Sequence, residues 1–78
     1  MTAETWIVTT EDVATVLDRH GVRPDENTVE ALRNGLDVGK VTEVVTAVET
    51  FDGQLAANLR EIERQLIEQG VVDNPPRF

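Results

Sequence analysis

The side chains able to carry covalent or acid–base chemistry are few and set far apart. His20 is the only histidine, Lys40 the only lysine, and there is no cysteine, serine or tyrosine. Nucleophilic catalysis through a thiol or a serine hydroxyl is therefore closed. What remains is threonine and 15 aspartates and glutamates. Carboxylates with a single imidazole would be an unusual donor set for zinc. "DVGK" (37–40) and "FDGQ" (51–54) each place one acid beside a glycine. A calcium loop needs acids at alternate positions and a closing glutamate, so turn and capping chemistry accounts better for both stretches. No catalytic, cofactor-binding or metal-binding residue is assigned. A domain of 78 residues also has little room for a closed pocket. The expected class is a protein without enzymatic activity or cofactor.

Two single residues invite sharper readings. His20 falls on the edge of the first helix's apolar face, near its C-terminus. The simplest expectation is a half-exposed imidazole interacting with the helix dipole, not a pH switch. Trp6 lies beside Ile7 and Val8, where a lone tryptophan more often fills a core than anchors a partner.

Charge narrows the partners. The formal net charge is −8. Residues 1–18 carry four carboxylates and no base, residues 19–40 are balanced, and 41–78 carry seven carboxylates against three arginines. Acids spread in this way belong to a folded surface, not to an acidic tail. They disfavour nucleic acid and anionic lipid and favour basic partners. No stretch is long and apolar enough for a membrane helix, and "MTAETWIVTTED" does not resemble a signal peptide. The expected setting is cytoplasmic and soluble. An acidic helical domain of this size invites comparison with acyl carrier proteins, but their arm is carried on a serine, which this chain lacks.

The elements follow from caps and periodicity. "TWIV" (5–8) reads as a short extended segment. Thr9 and Asp12 then have capping-box spacing, with Val8 and Val13 placed as a hydrophobic staple. Helix one runs to about His20 and stops at Gly21, with Val13, Val16 and Leu17 on its buried edge. Pro24 marks a loop, and Asp25 or Asn27 can cap a second helix over about 26–34 that ends at Gly35. Val41, Val44, Val45 and Val48 then recur at helical spacing, although β-branched residues favour strands. Leu55, Leu59, Ile62 and Leu66 continue the stripe, and Gly70 closes it. "VVDNPPRF" follows, and its prolines force an extended tail over 73–78. The expected fold is all-α, one domain over 1–72: an N-terminal extended segment, two short helices and a long C-terminal helix.

The phase of the last two apolar runs sets the main structural expectation. Advanced at about 100° per residue, all positions from Val41 to Leu66 fall inside one arc of about 120°. That favours a single helix over 38–69, kinked or broken at Gly53 if at all. Such a helix would be about 45 Å long and would overhang a core of this size. An overhanging apolar stripe needs a partner, and a second copy is the simplest one. A homodimer is therefore expected through Val48, Phe51, Leu55, Leu59, Ile62 and Leu66. In this reading the protein is an acidic helical protein-interaction module, a small regulator or adaptor, with a further protein partner that the sequence does not name.

Two other readings compete. "NTVEALRNGLDVGKVTEVV" (27–45) partly resembles a helix-turn-helix unit: Ala31 at the small position, Gly35 in the turn, Leu36 after it, then Val41 and Val44 at packing positions. The resemblance implies a DNA-binding regulator contacting DNA through Arg33, Lys40, Thr42 and Thr46. It departs from the pattern at Glu30 and Asn34, where apolar residues are expected. Its outward face also carries one cation, Lys40, against Glu43 and Glu49, which suits phosphate poorly. The last reading is an acidic mimic of nucleic acid that inhibits a nucleic-acid-binding protein.

Overall fold

The structure is a computed structural model that describes residues 6–72. The tail expected over 73–78 lies outside the described residues, as does the first residue of the 5–8 segment. Among the described residues there are four helices and no strand: α1 Thr10–Arg19, α2 Glu26–Asn34, α3 Val38–Thr46 and α4 Phe51–Glu68. None of these helices is long and apolar enough to cross a membrane.

The helix ends follow the local chemistry. Thr9 caps α1 in a full capping box: its Oγ1 accepts from Asp12 N at 3.2 Å, and Asp12 Oδ2 accepts from Thr9 N at 3.5 Å. Of the two candidates for the α2 cap, Asp25 takes the role and accepts from Thr28 N at 2.8 Å. These hydrogen bonds from Thr28 hold the Asp25 carboxyl below its ordinary range. Helices α1 and α4 end alike. Gly21 and Gly70 adopt φ of 72° and 77°, and Val22 N and Val71 N reach back to Leu17 O and Leu66 O at 2.9 Å. This is the Schellman arrangement, in which the residue after the glycine packs back on the helix it ends. Val22 and Val71 do pack against the core.

The single helix expected over 38–69 is two helices. The break spans residues 47–50, before Gly53 and not at it. Thr50 caps α4 by accepting from Gly53 N at 3.1 Å. Gln54 Nε2 donates to Val48 O at 2.9 Å and closes the turn from the other side. Gly53 is required for clearance: a Cβ there would stand 2.6 Å from Val48 Cγ1 and 2.7 Å from Thr50 Oγ1. The phase argument failed for a geometric reason. The connector replaces four residues, close to the 3.6 of one helical turn, so the apolar stripes keep their sequence phase although the chain reverses. Folded back, α3 packs along α4, and the longest dimension of the protein is 39 Å.

The core lies where α1, α3 and α4 meet. Val13, Val16 and Leu17 of α1, Val41 and Val45 of α3, and Ile62 and Leu66 of α4 are all removed from solvent. Each contributes about 1.5–3 kcal/mol by burial. Helix α2 packs on α1 alone and buries only Val29 within its span. The extended segment is pinned by three elements. Arg33 Nε of α2 donates to Val8 O at 2.8 Å, Thr42 Oγ1 of α3 accepts from Trp6 N at 3.0 Å, and Asn58 Oδ1 of α4 accepts from Trp6 Nε1 at 2.9 Å.

Candidate functional site

The six residues expected to face a second copy divide along α4. Ile62 and Leu66 are 0% exposed and belong to the core of one chain. Leu59 and Val48 are half-buried, with Leu59 packed on the core. Leu55 is 42% and Phe51 67% exposed. All but Val48 lie in one row of α4, since spacings of three and four residues return to the same helix face. The row therefore begins in the core and runs out of it toward the N-terminus of the helix. Ile62 and Leu66 are removed from the candidate surface for this reason. The hairpin brings Val41 and Val45 over them, where a straight helix would have left them for a partner.

A groove of about 490 Å³ opens between α3 and α4, lined by α4 residues that lie across the helix from this row. Val44, Val48, Ala57 and Ile67 supply its apolar lining, and Arg60, Arg64, Glu61 and Glu63 its charges. Most of these charges are paired within the chain, Arg64 with Glu61 and Glu68, and Glu63 with His20.

Behind the groove, α4 carries a buried polar column that sequence reasoning missed: Asn58, Glu61 and Gln65, all 6% exposed or less. Asn58 accepts from Trp6 and donates from Nδ2 to Asp12 Oδ2 at 3.1 Å, tying the N-terminal segment and the α1 cap to α4. Gln65 clamps the corner before α3, accepting from Asp37 N at 2.7 Å and donating to Asp37 O at 3.2 Å. Glu61 takes a forked pair of bonds from Arg64 and a third from Gln65 Nε2 at 3.0 Å. The Arg64 guanidinium holds this carboxyl below its ordinary range against the opposing effect of burial, and Gln65 adds to the lowering. Arg64 is in turn held more firmly protonated by Glu61. Little signal was present in the sequence, because Asn58 and Gln65 fall just outside the arc of the apolar stripe, on its flank, where an amide is ordinarily exposed.

His20 is not the half-exposed residue expected. It is buried at the end of α1, with Nε2 2.9 Å from Glu63 Oε2. That carboxylate assigns the ring proton to Nε2, and Nδ1 is buried without a protein partner. The two residues are 43 apart in the chain, so no local pattern joined them. Trp6 is half-buried, with its ring nitrogen bonded to Asn58.

The residues named for DNA contact have internal work. Arg33 holds Val8 O. Thr42 accepts from Trp6 N and donates to Val38 O at 2.9 Å. Thr46 donates to Glu43 O at 3.2 Å, and Lys40 Nζ lies 3.7 Å from Glu43 Oε1. Helices α2 and α3 also share no packing, whereas a helix-turn-helix unit is held together by that contact. Ala31 and Gly35, which suggested the motif, are both exposed. Among the described residues no group of three or more His, Asp or Glu is arranged to hold a metal ion. No family model, curated protein or solved structure matches this chain.

Proposed function

We propose that the protein is a non-enzymatic protein-interaction module, a small regulator or adaptor, that self-associates through the apolar row at the N-terminal half of α4. One observation carries the reading: the α4 row passes from full burial at Leu66 and Ile62 to 42% exposure at Leu55 and 67% at Phe51. Large apolar side chains that continue a core row into solvent mark a surface that a partner covers. A stable contact of this kind buries about 800 Å² per partner, more than Phe51 and Leu55 supply, so the half-buried Leu59 and the exposed Ala56 on the same side of α4 belong to it.

Sedimentation equilibrium tests the proposal. The wild-type chain is expected to be dimeric at tens of micromolar, and Phe51→Glu with Leu55→Glu to give a folded monomer. Both positions are solvent-facing in the single chain, so the fold survives the change. A wild-type monomer at that concentration, or a double variant that remains dimeric, refutes it.

A further inference from the structure

A second groove, of about 510 Å³, lies between α1 and α2. Ala14, Pro24 and Val29 supply its apolar lining, and Glu11, Glu26 and Glu30 stand around it. A smaller hollow of about 200 Å³ shares Ala14, Pro24 and Val29 and extends the apolar lining to Leu17 and Val22.

None of the three glutamates has a cationic partner among the described residues. The neighbouring bases are turned to other uses: Arg23 pairs with Asp18 at 2.9 Å, Arg33 holds Val8 O, and Arg19 lines a separate hollow with Ala56, Leu59 and Glu63. Glu11 and Glu26 lie in the first turns of their helices, where the dipole favours an acid. Glu30, in the middle of α2, has no such reason to be there. The face thus joins an open apolar trough to three uncompensated carboxylates, and the charge disfavours nucleic acid and anionic lipid as occupants. A small cation would leave the trough uncovered. An amphipathic helix with a basic side satisfies both features, since its apolar stripe and its charges lie on adjacent faces.

We propose that the α1/α2 groove binds a basic amphipathic helical segment of a partner protein. Its apolar side lies on Ala14, Pro24 and Val29, and its lysines or arginines meet Glu11, Glu26 and Glu30. Segments of this chemistry are what nucleic-acid-binding proteins present to phosphate. The groove is on different helices from the self-association surface, so either proposal can fail without the other.

The test uses the full chain, titrated with a synthetic peptide of lysine and leucine in helical amphipathic order, about five turns long. The comparator is the same composition scrambled so that the leucines share no face. Titration calorimetry and amide chemical shifts read the outcome. Saturable binding is expected, with shifts centred on Ala14, Val29 and Glu30 and much weaker binding of the scrambled peptide. Glu26→Gln with Glu30→Gln is expected to weaken binding about tenfold, the effect of two rim charges. Ala14→Lys, which keeps a good helix former at an exposed site, is expected to abolish it. Phe51→Glu is expected to bind as the wild type does. Equal affinity for the scrambled peptide, no effect of the glutamate changes, or shifts centred on Val44 and Ala57 would each overturn the proposal.

Discussion

The α3/α4 hairpin and helix α2 are held by different means. Val41 and Val45 meet Ile62 and Leu66 in a dry interior, and the Gln65–Asp37 clamp locks the corner that leads into α3. Helix α1 shares that core through Val13, Val16 and Leu17 and packs on α4, but α2 has little of this. Within its span α2 buries only Val29, and among the helices it packs on α1 alone. Half-buried Leu32 and the Arg33 guanidinium on Val8 O add to its attachment. Three helices thus hold the structure, and the fourth is a thinly packed helix with an acidic face. Elements with few buried contacts are the ones that open first and that binding can reorganise.

The largest expected effect breaks the stronger part. Ile62→Ala should cost about 2–5 kcal/mol, much of the roughly 4–12 kcal/mol expected for a domain of this length. Val29→Ala should cost about 1–2.5 kcal/mol, because the side chain is smaller and sits at the edge of the core. Urea denaturation measures both, and native-state hydrogen exchange should show α2 amides opening before those of α3 and α4. Equal losses, or α2 amides protected as well as α4, would remove the distinction.

Gly53→Ala tests the turn that makes the hairpin. Helix propensity alone predicts a gain of about 1 kcal/mol for alanine. The added Cβ, however, falls 2.6 Å from Val48 Cγ1 and 2.7 Å from the capping Thr50 Oγ1. Valine is stiff at χ1, and moving Thr50 costs about 1 kcal/mol of capping. The net expectation is a loss of about 1 kcal/mol, read as a fall in Tm of roughly 4–8 °C. A raised Tm would mean that the turn relaxes freely.

The smallest expected effect concerns acid. The Glu61 carboxyl is held below its ordinary value of 4.5 when folded. The stability this supplies is therefore full above 4.5 and is lost as pH falls through the lower folded value. Arg64 is half-exposed, which limits the pair to about 0.5–1 kcal/mol. Glu61→Gln should shallow the acid limb of a stability–pH profile by that amount. An unchanged profile would show that Arg64 holds Glu61 no better than solvent does.

Much of this was legible along the chain. The caps at Thr9 and Asp25 follow from short polar side chains that offer an acceptor to free helix amides, whereas Thr50, which caps α4, reads in the sequence as the interior of one long helix. The stops at Gly21 and Gly70 follow from the left-handed backbone that only glycine adopts at low cost. Buried positions such as Val13, Leu17, Ile62 and Leu66 follow from helical spacing. The candidate surface was half legible. Phe51 and Leu55 stand exposed as expected, but spacing cannot separate them from Ile62 and Leu66, which occupy the same row. Arg33 and Thr42 looked free for DNA because their partners, Val8 and Trp6, lie 25 and 36 residues away, whereas Lys40 and Thr46 meet Glu43 within one helical turn.

By itself, the order of residues determined that the chain is helical, where α1 and α2 start and stop and where α4 ends, and which face of each is apolar. These are consequences of local torsions, caps and periodicity. Three matters belonged to the folded molecule: that α3 turns back along α4, that His20 meets Glu63, and that Asn58 holds the Trp6 and Asp12 side chains while Gln65 anchors the Asp37 backbone. Each depends on groups brought together across long stretches of chain. A helix stripe records that a residue must be covered, but only packing decides whether the cover comes from the same chain or from another.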